Sequence, residues 1–435
     1  MSSDKSQLVV GLLGAGTVGG GVIKVLEENA PDIEKKLGAR LVIKTVFGRN
    51  PEEMREEYGD AYIYTSEIAD VMDDPEIDIV VELIGREHPA KEYIQMALEK
   101  GKNVVTANKD VIAKFGTELF PLAAEKGLDL MYEAAVCGGI PIIEPLRNVM
   151  SCNNIKSIMG IVNGTTNYML SKMSDEHMDY DDVLKEAQEK GYAESDPTAD
   201  VGGLDAARKM AILASLAFNM NIDLDDVYVE GIESVAACDI KYAQELGYAV
   251  KLLGIAKYTV SFGASVRVTP AMLPISHPLA TVNGVYNALF VKGDAIGEAM
   301  FLGLGAGRYP TASSVLGDMM TVARNMLKGA CGRPGMINYR AKRLCPPEAM
   351  TSPCYIRMAV LDRPGALAAI AAAFAAQSVS LRNVIQKDNN GRTDIVVITH
   401  SVSRANLQMA LQILEVLPVV EKISCVISVE DRSLE

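Results

Sequence analysis

"LVVGLLGAGTVGGGVIKVLEEN", residues 8–29, decides the fold of the first third of the chain. Residues 8–13 form a near-continuous apolar run, the pattern of a strand buried on both faces. The run breaks into Gly14-Ala15-Gly16-Thr17-Val18-Gly19 and resumes as a helix. Gly14 permits a tight turn, Gly16 lets a pyrophosphate approach the backbone, and Gly19 lets helix and strand pack closely. The helix start then offers free N–H groups and a positive dipole end to phosphates. A bare Gly-x-Gly-x-x-Gly is a weak signal. Set between a strand and a helix it predicts a dinucleotide-binding unit.

The next strand, "RLVIKTVFGRN" (40–50), ends where an acid that binds a ribose is expected for NAD. Gly48-Arg49-Asn50 stands there instead, and Arg49 suits a 2′-phosphate, which favours NADP(H) and leaves NAD(H) open. A solvated surface charge is the plain alternative for Arg49. "IDIVVELIG" (77–85) and "NVVTANK" (103–109) read as further parallel strands, with a helix in "AKEYIQMALEKG" between them. Lys109 follows a strand's carboxyl end, where ligands gather in open α/β sheets.

The 435 residues allow two or three domains, and the 49% hydrophobic content supplies their cores. The net charge of −14 argues against nucleic acid as a partner. "MSSDKSQ" leads straight into a strand, and no apolar stretch approaches a membrane span, so no signal segment or membrane anchor is expected. The seven Cys form no CxxC pair, which suits a reducing cytoplasm, and the four His suggest no zinc site. His277, before a Pro, reads as structural.

The middle of the chain is rich in polar loops. In "YEAAVCGGIPII" (132–143) a small-residue turn gathers carbonyls near Glu133. That donor set suits a hard monovalent cation, although a plain tight turn explains it equally. "VNGTTNYML" places Asn163, Gly164 and Thr165 at a helix start, where they can bind a small polar ligand or cap their own helix. "GYAESDPTADVGGLDAARKMAI" (191–212) ends one helix at Gly191, turns, and enters an apolar helix. Asp205 and Lys209 share one face of that helix, either as a surface ion pair or as site residues. Glu194 just upstream and the apolar remainder favour a site. "GLGAGRYPTAS" (303–313) is a second Gly turn before a helix.

"AKRLCPPEAMTSPC" (341–354) reads as a linker, and the pattern beyond it is βαββαβ, of ferredoxin-like size. Asp362, Gly365, Ala366 and Leu367 lie in a turn at a helix N-terminus, where a free carboxylate can bind.

In order, "GLLGAGTVGGGV", "VVTANKD", "EAAVCGGIPII", "GIVNGTTNYML", "GYAESDPTADVGGLDAARK", "GLGAGRYPTAS" and "DRPGAL" resemble homoserine dehydrogenase with a C-terminal ACT domain. The resemblance covers nearly the whole chain. It implies an α/β fold with a Rossmann-type doubly wound parallel sheet, an α+β substrate and dimerisation domain, and a ferredoxin-like ACT domain. The implied boundaries are 1–135 for the NAD(P)-binding domain with a return helix near 311–340, 136–310 for the substrate domain, 341–352 for a linker and 353–435 for the ACT domain. The implied reaction is reversible NAD(P)-dependent interconversion of L-homoserine and L-aspartate 4-semialdehyde, on the route to threonine, methionine and isoleucine.

Carried over residue by residue, the resemblance makes Lys209 the acid/base and places Glu194 and Asp205 on the substrate. It puts Lys109 near substrate and nicotinamide, and Gly191 and Gly305 against the cofactor. It also implies a sodium or potassium ion held by Glu133 and the carbonyls of Val136, Gly138 and Ile140. Threonine is the implied effector, and a homodimer or homotetramer in the cytoplasm the implied assembly. Two positions depart from the family pattern: Cys137 replaces a small Gly or Ala, and Leu304 replaces a common Pro.

The chemistry needs two carbons held close and one proton managed on oxygen, because the cofactor carries the hydride. A Lys base must have its pKa lowered from about 10.4, by burial or a second cation such as Lys109. Which of Lys209 and Lys109 carries the proton stays open. The rival enzyme is a semialdehyde dehydrogenase with Cys137 as nucleophile, for which no activating His is evident. The other rival is a non-catalytic amino-acid sensor.

Overall fold

The computed structural model describes residues 5–333, 338–389 and 392–430. Residues 334–337 of the expected return helix, 390–391 and 431–435 of the expected C-terminal domain, and 1–4 of the first domain lie outside the described residues. The chain divides into two compact units. The first comprises Met1–Ile155, Arg208–Asp226 and Val291–Lys342, and the second Lys156–Ala207, Val227–Phe290 and Arg343–Glu435.

The first unit is built on six parallel strands: β1 (Gln7–Leu13), β2 (Arg40–Phe47), β3 (Ile63–Thr65), β4 (Ile79–Glu82), β5 (Asn103–Thr106) and β6 (Leu130–Met131). Their order is β3-β2-β1-β4-β5-β6, the doubly wound arrangement read from the sequence. The order reverses between β1 and β4, so a crevice opens at their carboxyl ends. β4 and β5 are buried at every residue, as strands covered on both faces must be.

The helix Arg308–Lys328 returns to this unit and packs on Thr17–Leu37, burying Ala312, Val315 and Met319 with Leu12 and Val22. Gly21 makes that approach possible, since a Cβ there would sit 2.7 Å from the Arg308 carbonyl oxygen.

The second unit contains β8 (Tyr228–Val229), β9 (Tyr248–Thr259) and β10 (Gly263–Pro274), and most of β7 (Ile155–Ile161) and β11 (Tyr286–Gly293). β12 (Gly297–Leu304) follows β11 and falls in the first unit. The C-terminal segment adds β13 (Thr351–Ser352), β14 (Cys354–Val360), β15 (Leu381–Asn389), β16 (Arg392–Thr399), β17 (Val402–Ser403) and β18 (Val420–Val429). The helices Ala366–Ala376 and Arg404–Glu415 complete the βαββαβ pattern and pack Ile370, Phe374, Ala410 and Leu414 onto the sheet.

The C-terminal sheet does not stand alone. β18 pairs in parallel with β10 through Ala271 with Ser428 and Met272 with Val429. One mixed sheet therefore runs β11-β7-β9-β10-β18-β14-β16-β15, with β8 also on β10. Two buried ion pairs cross the seam: Arg357 with Asp239, and Arg267 with Glu430. Among the described residues no helix is long and apolar enough to cross a membrane.

Candidate functional site

The crevice of the first unit encloses about 730 Å³ and is lined by Gly14, Ala15, Gly16, Arg49, Arg86 and Tyr93 among others. Gly14 has φ +97°, and a Cβ there would meet the Leu83 carbonyl oxygen at 2.9 Å. At Gly19 a Cβ would lie 2.0 Å from the Gly14 carbonyl oxygen. Gly16 faces open space and precedes a helix start that no side chain caps. The N–H groups of Thr17, Val18 and Gly19 thus head the helix toward the crevice, the arrangement that receives a phosphate. The Tyr58 hydroxyl fixes the turn by donating to the Ala15 carbonyl at 2.8 Å.

Two cations line this crevice. Arg49 is exposed after β2. Arg86 follows β4 with the non-glycine φ of +62°. The sequence reading missed Arg86 and also missed what holds it. Glu82, fully buried at the end of β4, accepts from the backbone of Ile84 at 2.8 Å and Gly85 at 3.2 Å, and from the Thr106 hydroxyl at 2.7 Å. Burial pushes the Glu82 carboxyl up, and these donors oppose the shift. Asn108 caps the helix Lys109–Glu125 by accepting from Val111, while its amide donates to the Arg86 carbonyl at 2.7 Å. The visible signal was a lone Glu closing a buried apolar strand.

Lys109 is the first residue of that helix, half-buried. Its neighbour Asp110 accepts from Arg208 at 2.8 Å. Arg208 precedes Lys209 on the helix Leu204–Phe218, so the ion pair ties the turn carrying Lys209 to the start of the helix carrying Lys109.

Glu133 sits in a short 3₁₀ turn and is buried. Its carboxylate accepts three backbone N–H bonds, from Ile142 at 2.6 Å, Ile143 at 2.8 Å and Glu144 at 2.7 Å. Its own N–H donates to Asp318 at 2.8 Å. Burial holds both carboxyls high, and the nearby Glu133 charge pushes Asp318 further, well above its ordinary value. Cys137 and Gly138 follow with φ of +53° and +39°. Gly138 is required: a Cβ would lie 2.7 Å from the Gly305 carbonyl oxygen. The two small-residue loops, at 133–141 and 303–311, are therefore packed backbone to backbone, joined by the Gly139 N–H to the Leu304 carbonyl at 3.1 Å. Cys137 is 1% exposed, so in this structure its thiol is closed off from an incoming carbonyl.

In the second unit Asn163 organises a carboxylate pair. Its amide donates to Asp200 at 2.7 Å and Asp205 at 2.9 Å, while its side-chain oxygen accepts from the Thr166 N–H at 2.9 Å and caps the helix Gly164–Glu176. Of the two alternatives that the sequence left for Asn163, the structure shows the helix cap, and it spends the amide on two carboxylates of the same chain. Asp200 was not singled out from the sequence, although it lies in the same acidic turn. Gly164 is needed beside Val285, whose carbonyl oxygen would lie 2.9 Å from a Cβ. The Thr165 hydroxyl donates to the Tyr192 carbonyl at 2.6 Å and anchors the loop after Gly191. Gly191 has φ +72° in open space, and Glu194 is exposed on that loop. His277 is structural: buried, accepting from Leu279 at 3.1 Å and packed on Phe290.

Asp362, Gly365, Ala366 and Leu367 line one cavity of about 190 Å³, with Gln386 and Thr393 opposite them.

Three family descriptions match the chain. "Homoserine dehydrogenase, NAD binding domain" covers residues 14–133, "Homoserine dehydrogenase" residues 141–320, and "ACT domain" residues 355–419. The homoserine dehydrogenase of Bacillus subtilis is 43% identical over 424 residues, which is 97% of this chain and 98% of that one. The crystal structure of a homoserine dehydrogenase from Thiobacillus denitrificans superposes with a TM-score of 0.92 at 41% identity, covering 98% of both chains. A hyperthermophilic archaeal homoserine dehydrogenase, solved in complex with NADPH, matches 73% of this chain and 97% of its own at 28% identity and a TM-score of 0.63. The chain belongs to the homoserine dehydrogenase family, oxidoreductases that act on a CH–OH group, with an NAD(P)-binding domain and a C-terminal ACT domain.

Proposed function

We propose that the chain interconverts L-homoserine and L-aspartate 4-semialdehyde with Lys209 as the proton carrier and NADP(H) as the preferred cofactor. The observation that carries this reading is Asn163 holding Asp200 and Asp205 side by side, with Asp205 one turn before Lys209 on one helix. Bound nicotinamide accepts or supplies the hydride at the substrate's C4. The protein's part is the proton: Lys209 takes it from the homoserine hydroxyl in oxidation and returns it to the oxygen in reduction. Asp205, Glu194 and Lys109 orient the substrate, with Asn163, Gly164 and Thr165 around its polar end. Gly191 and Gly305 contact the cofactor, and the turn Gly14–Gly19 receives its pyrophosphate. Arg49 and Arg86 lining one crevice support a 2′-phosphate.

The test is Lys209→Ala, assayed with homoserine and with NAD and NADP in separate reactions. The expected result is a kcat lower by about 10²–10⁴ with NADP(H) affinity unchanged. An unchanged kcat refutes the role of Lys209.

Glu133 and the carbonyls of Val136, Gly138 and Ile140 would hold a sodium or potassium ion. Their all-oxygen chemistry fits such an ion, and so does the crowding of buried Glu133 and Asp318, which a cation would relieve. Exchange of sodium or potassium for choline should lower the melting temperature. The ACT cavity at Asp362–Leu367 would take threonine as feedback inhibitor, checked by inhibition of the full chain. A homodimer or homotetramer is expected by light scattering.

A further inference from the structure

A second cavity of about 240 Å³ lies at the seam where the C-terminal sheet joins the catalytic one. It is separate from the cavity at Asp362–Leu367. The latter opens at the Val360 end of β14, and this one at the Ser352–Cys354 end, roughly 20 Å away along the strand. Its floor is Thr269 of β10, which is 5% exposed, and the Thr269 hydroxyl oxygen has no hydrogen-bond partner among the described residues. Buried hydroxyls are rarely left so, and one aimed into a cavity marks a place for a ligand's polar group.

Two opposite charges face the same space from different parts of the chain. Glu230 comes from the segment after β8, and Arg404 opens the helix Arg404–Glu415. The Arg404 guanidinium lies 3.8 Å from the Tyr228 ring centroid, which holds its plane in place. The Tyr228 hydroxyl is 3.4 Å from Glu230 and orients the carboxylate. Arg267, the other cation at the wall, is already committed to Glu430. Leu407, Leu411 and Val426 make one part of the wall apolar, and Ser352, Ser428 and Gln408 add neutral polar groups elsewhere on it. One carboxylate, one guanidinium, one unsatisfied hydroxyl and an apolar end fit a zwitterion with a short aliphatic side chain.

We propose that this cavity is a binding site for a small α-amino acid, whose ammonium pairs with Glu230 and whose carboxylate pairs with Arg404. Its Thr269 contact fixes the ligand's depth. The site is wired to the carboxylate pair that Asn163 holds. Glu230 is followed by Gly231, whose Cβ would lie 2.4 Å from the Val201 carbonyl oxygen, and Ile232 donates to that same oxygen at 2.9 Å. Asp200 precedes Val201 directly. A ligand that draws Glu230 toward Arg404 moves the backbone on which Asp200 rests, so binding is read as a change in the KM for homoserine.

The experiment uses the full chain and two probes, L-isoleucine and L-threonine, by calorimetry and thermal shift. At least one should bind and raise the melting temperature. The single-charge analogues 2-methylbutylamine and 3-methylpentanoate should not bind. Arg404→Gln and Glu230→Gln should each weaken the amino acid by at least about tenfold, with basal kcat near that of the parent. Asp362→Ala, in the other cavity, should leave this binding in place. If either charge variant folds poorly, Thr269→Val supplies the same readout, because it removes the hydroxyl at nearly constant volume.

A structure of the chain grown with the bound probe fixes the location. A ligand between Glu230 and Arg404 sustains the proposal. Binding of neither probe, indifference to all three variants, or a ligand seen only at residues 362–367 overturns it. Basal activity in the absence of amino acid tests the catalytic reading separately.

Discussion

Asn163→Asp tests the organisation of the proposed substrate end directly. The replacement keeps the helix cap, since Asp and Asn cap equally well, and its oxygen can still accept from Thr166. What it changes is the pair of amide bonds to Asp200 and Asp205, at 2.7 and 2.9 Å. Two unit charges 3 Å apart repel by about 5–6 kcal/mol at an effective dielectric near 20. Holding a proton on an ordinary Asp at pH 7 costs about 4 kcal/mol. The introduced carboxyl therefore keeps its proton near neutrality and donates one bond where the amide donated two. Loss of one charge-assisted bond at this half-exposed site costs about 1.5 kcal/mol, or about tenfold in kcat/KM for homoserine.

The sign of the pH effect follows. As pH rises the introduced carboxyl ionises, its remaining bond becomes a repulsion, and the deficit should grow beyond tenfold by pH 8–9. Lowering the pH toward 6 should shrink it. The assay is kcat/KM for homoserine across that range, beside the KM for NADP. Asn163→Ala serves as the control that also loses the cap, worth about 1 kcal/mol of stability. A variant with parental kcat/KM and an unchanged pH profile would refute the reasoning. So would an equal rise in the NADP KM, because the fault would then not be confined to the substrate end.

Gly19→Ala should weaken NADP(H) by more than tenfold while leaving the KM for homoserine near the parent value, since the new Cβ collides with the Gly14 carbonyl that shapes the phosphate turn; titration of cofactor fluorescence reads it. Asp239→Asn should destabilise the chain by about 3 kcal/mol in urea, because buried Arg357 loses its bidentate carboxylate and keeps only Asp394, at 3.8 Å. Arg357→Met added to that variant should recover part of the loss, and no recovery would mean the pair is not what the seam depends on. Burial works to raise Glu430, but Arg267 and Lys257 outweigh it and hold its carboxyl below the ordinary value. Its stabilisation is thus full above the unfolded value near pH 4.3 and is lost as pH falls through the lower folded value. Glu430→Gln should flatten the melting temperature between pH 5 and 3 relative to the parent, and an identical acid slope would refute the assignment.

The first sheet was legible because its signals are local. A buried apolar strand, three glycines at fixed spacing and an amphipathic helix lie within residues 8–29, and backbone sterics leave that pattern one solution. Asn163 was legible as a residue type, but its cap and its bonds to two carboxylates were not separable in the sequence, since both use the same side chain. Asp200 and Arg86 stayed hidden for a different reason. Each is placed by a partner distant in sequence, Asp200 by Asn163 and Arg86 by Asn108, and no periodicity encodes such a pairing. Glu133 shows the limit most plainly. Its type suggested an acid beside carbonyls, while the structure turns that acid onto three N–H groups and sets a second buried acid, Asp318, behind it from a helix far along the chain.

The linker reading of residues 341–354 suggested a regulatory module hung on a catalytic one. The pairing of β18 with β10 gives a different mechanical picture. A tethered module can transmit a signal only by reorienting about its linker. A module whose edge strand is hydrogen-bonded into the catalytic sheet shares that sheet's twist, so a shift at β14 or β18 is felt at β10 without passing through residues 341–352. The buried ion pairs strengthen the argument, because neither Arg357 nor Arg267 can leave its partner without exposing a charge to an apolar seam. The seam therefore resists sliding, and motions that preserve both pairs are the ones left: changes in how tightly the strands around Thr269 close on the helix Arg404–Glu415. That is the gap which an amino acid between Glu230 and Arg404 would bridge, and it lies one backbone hydrogen bond from the segment carrying Asp200.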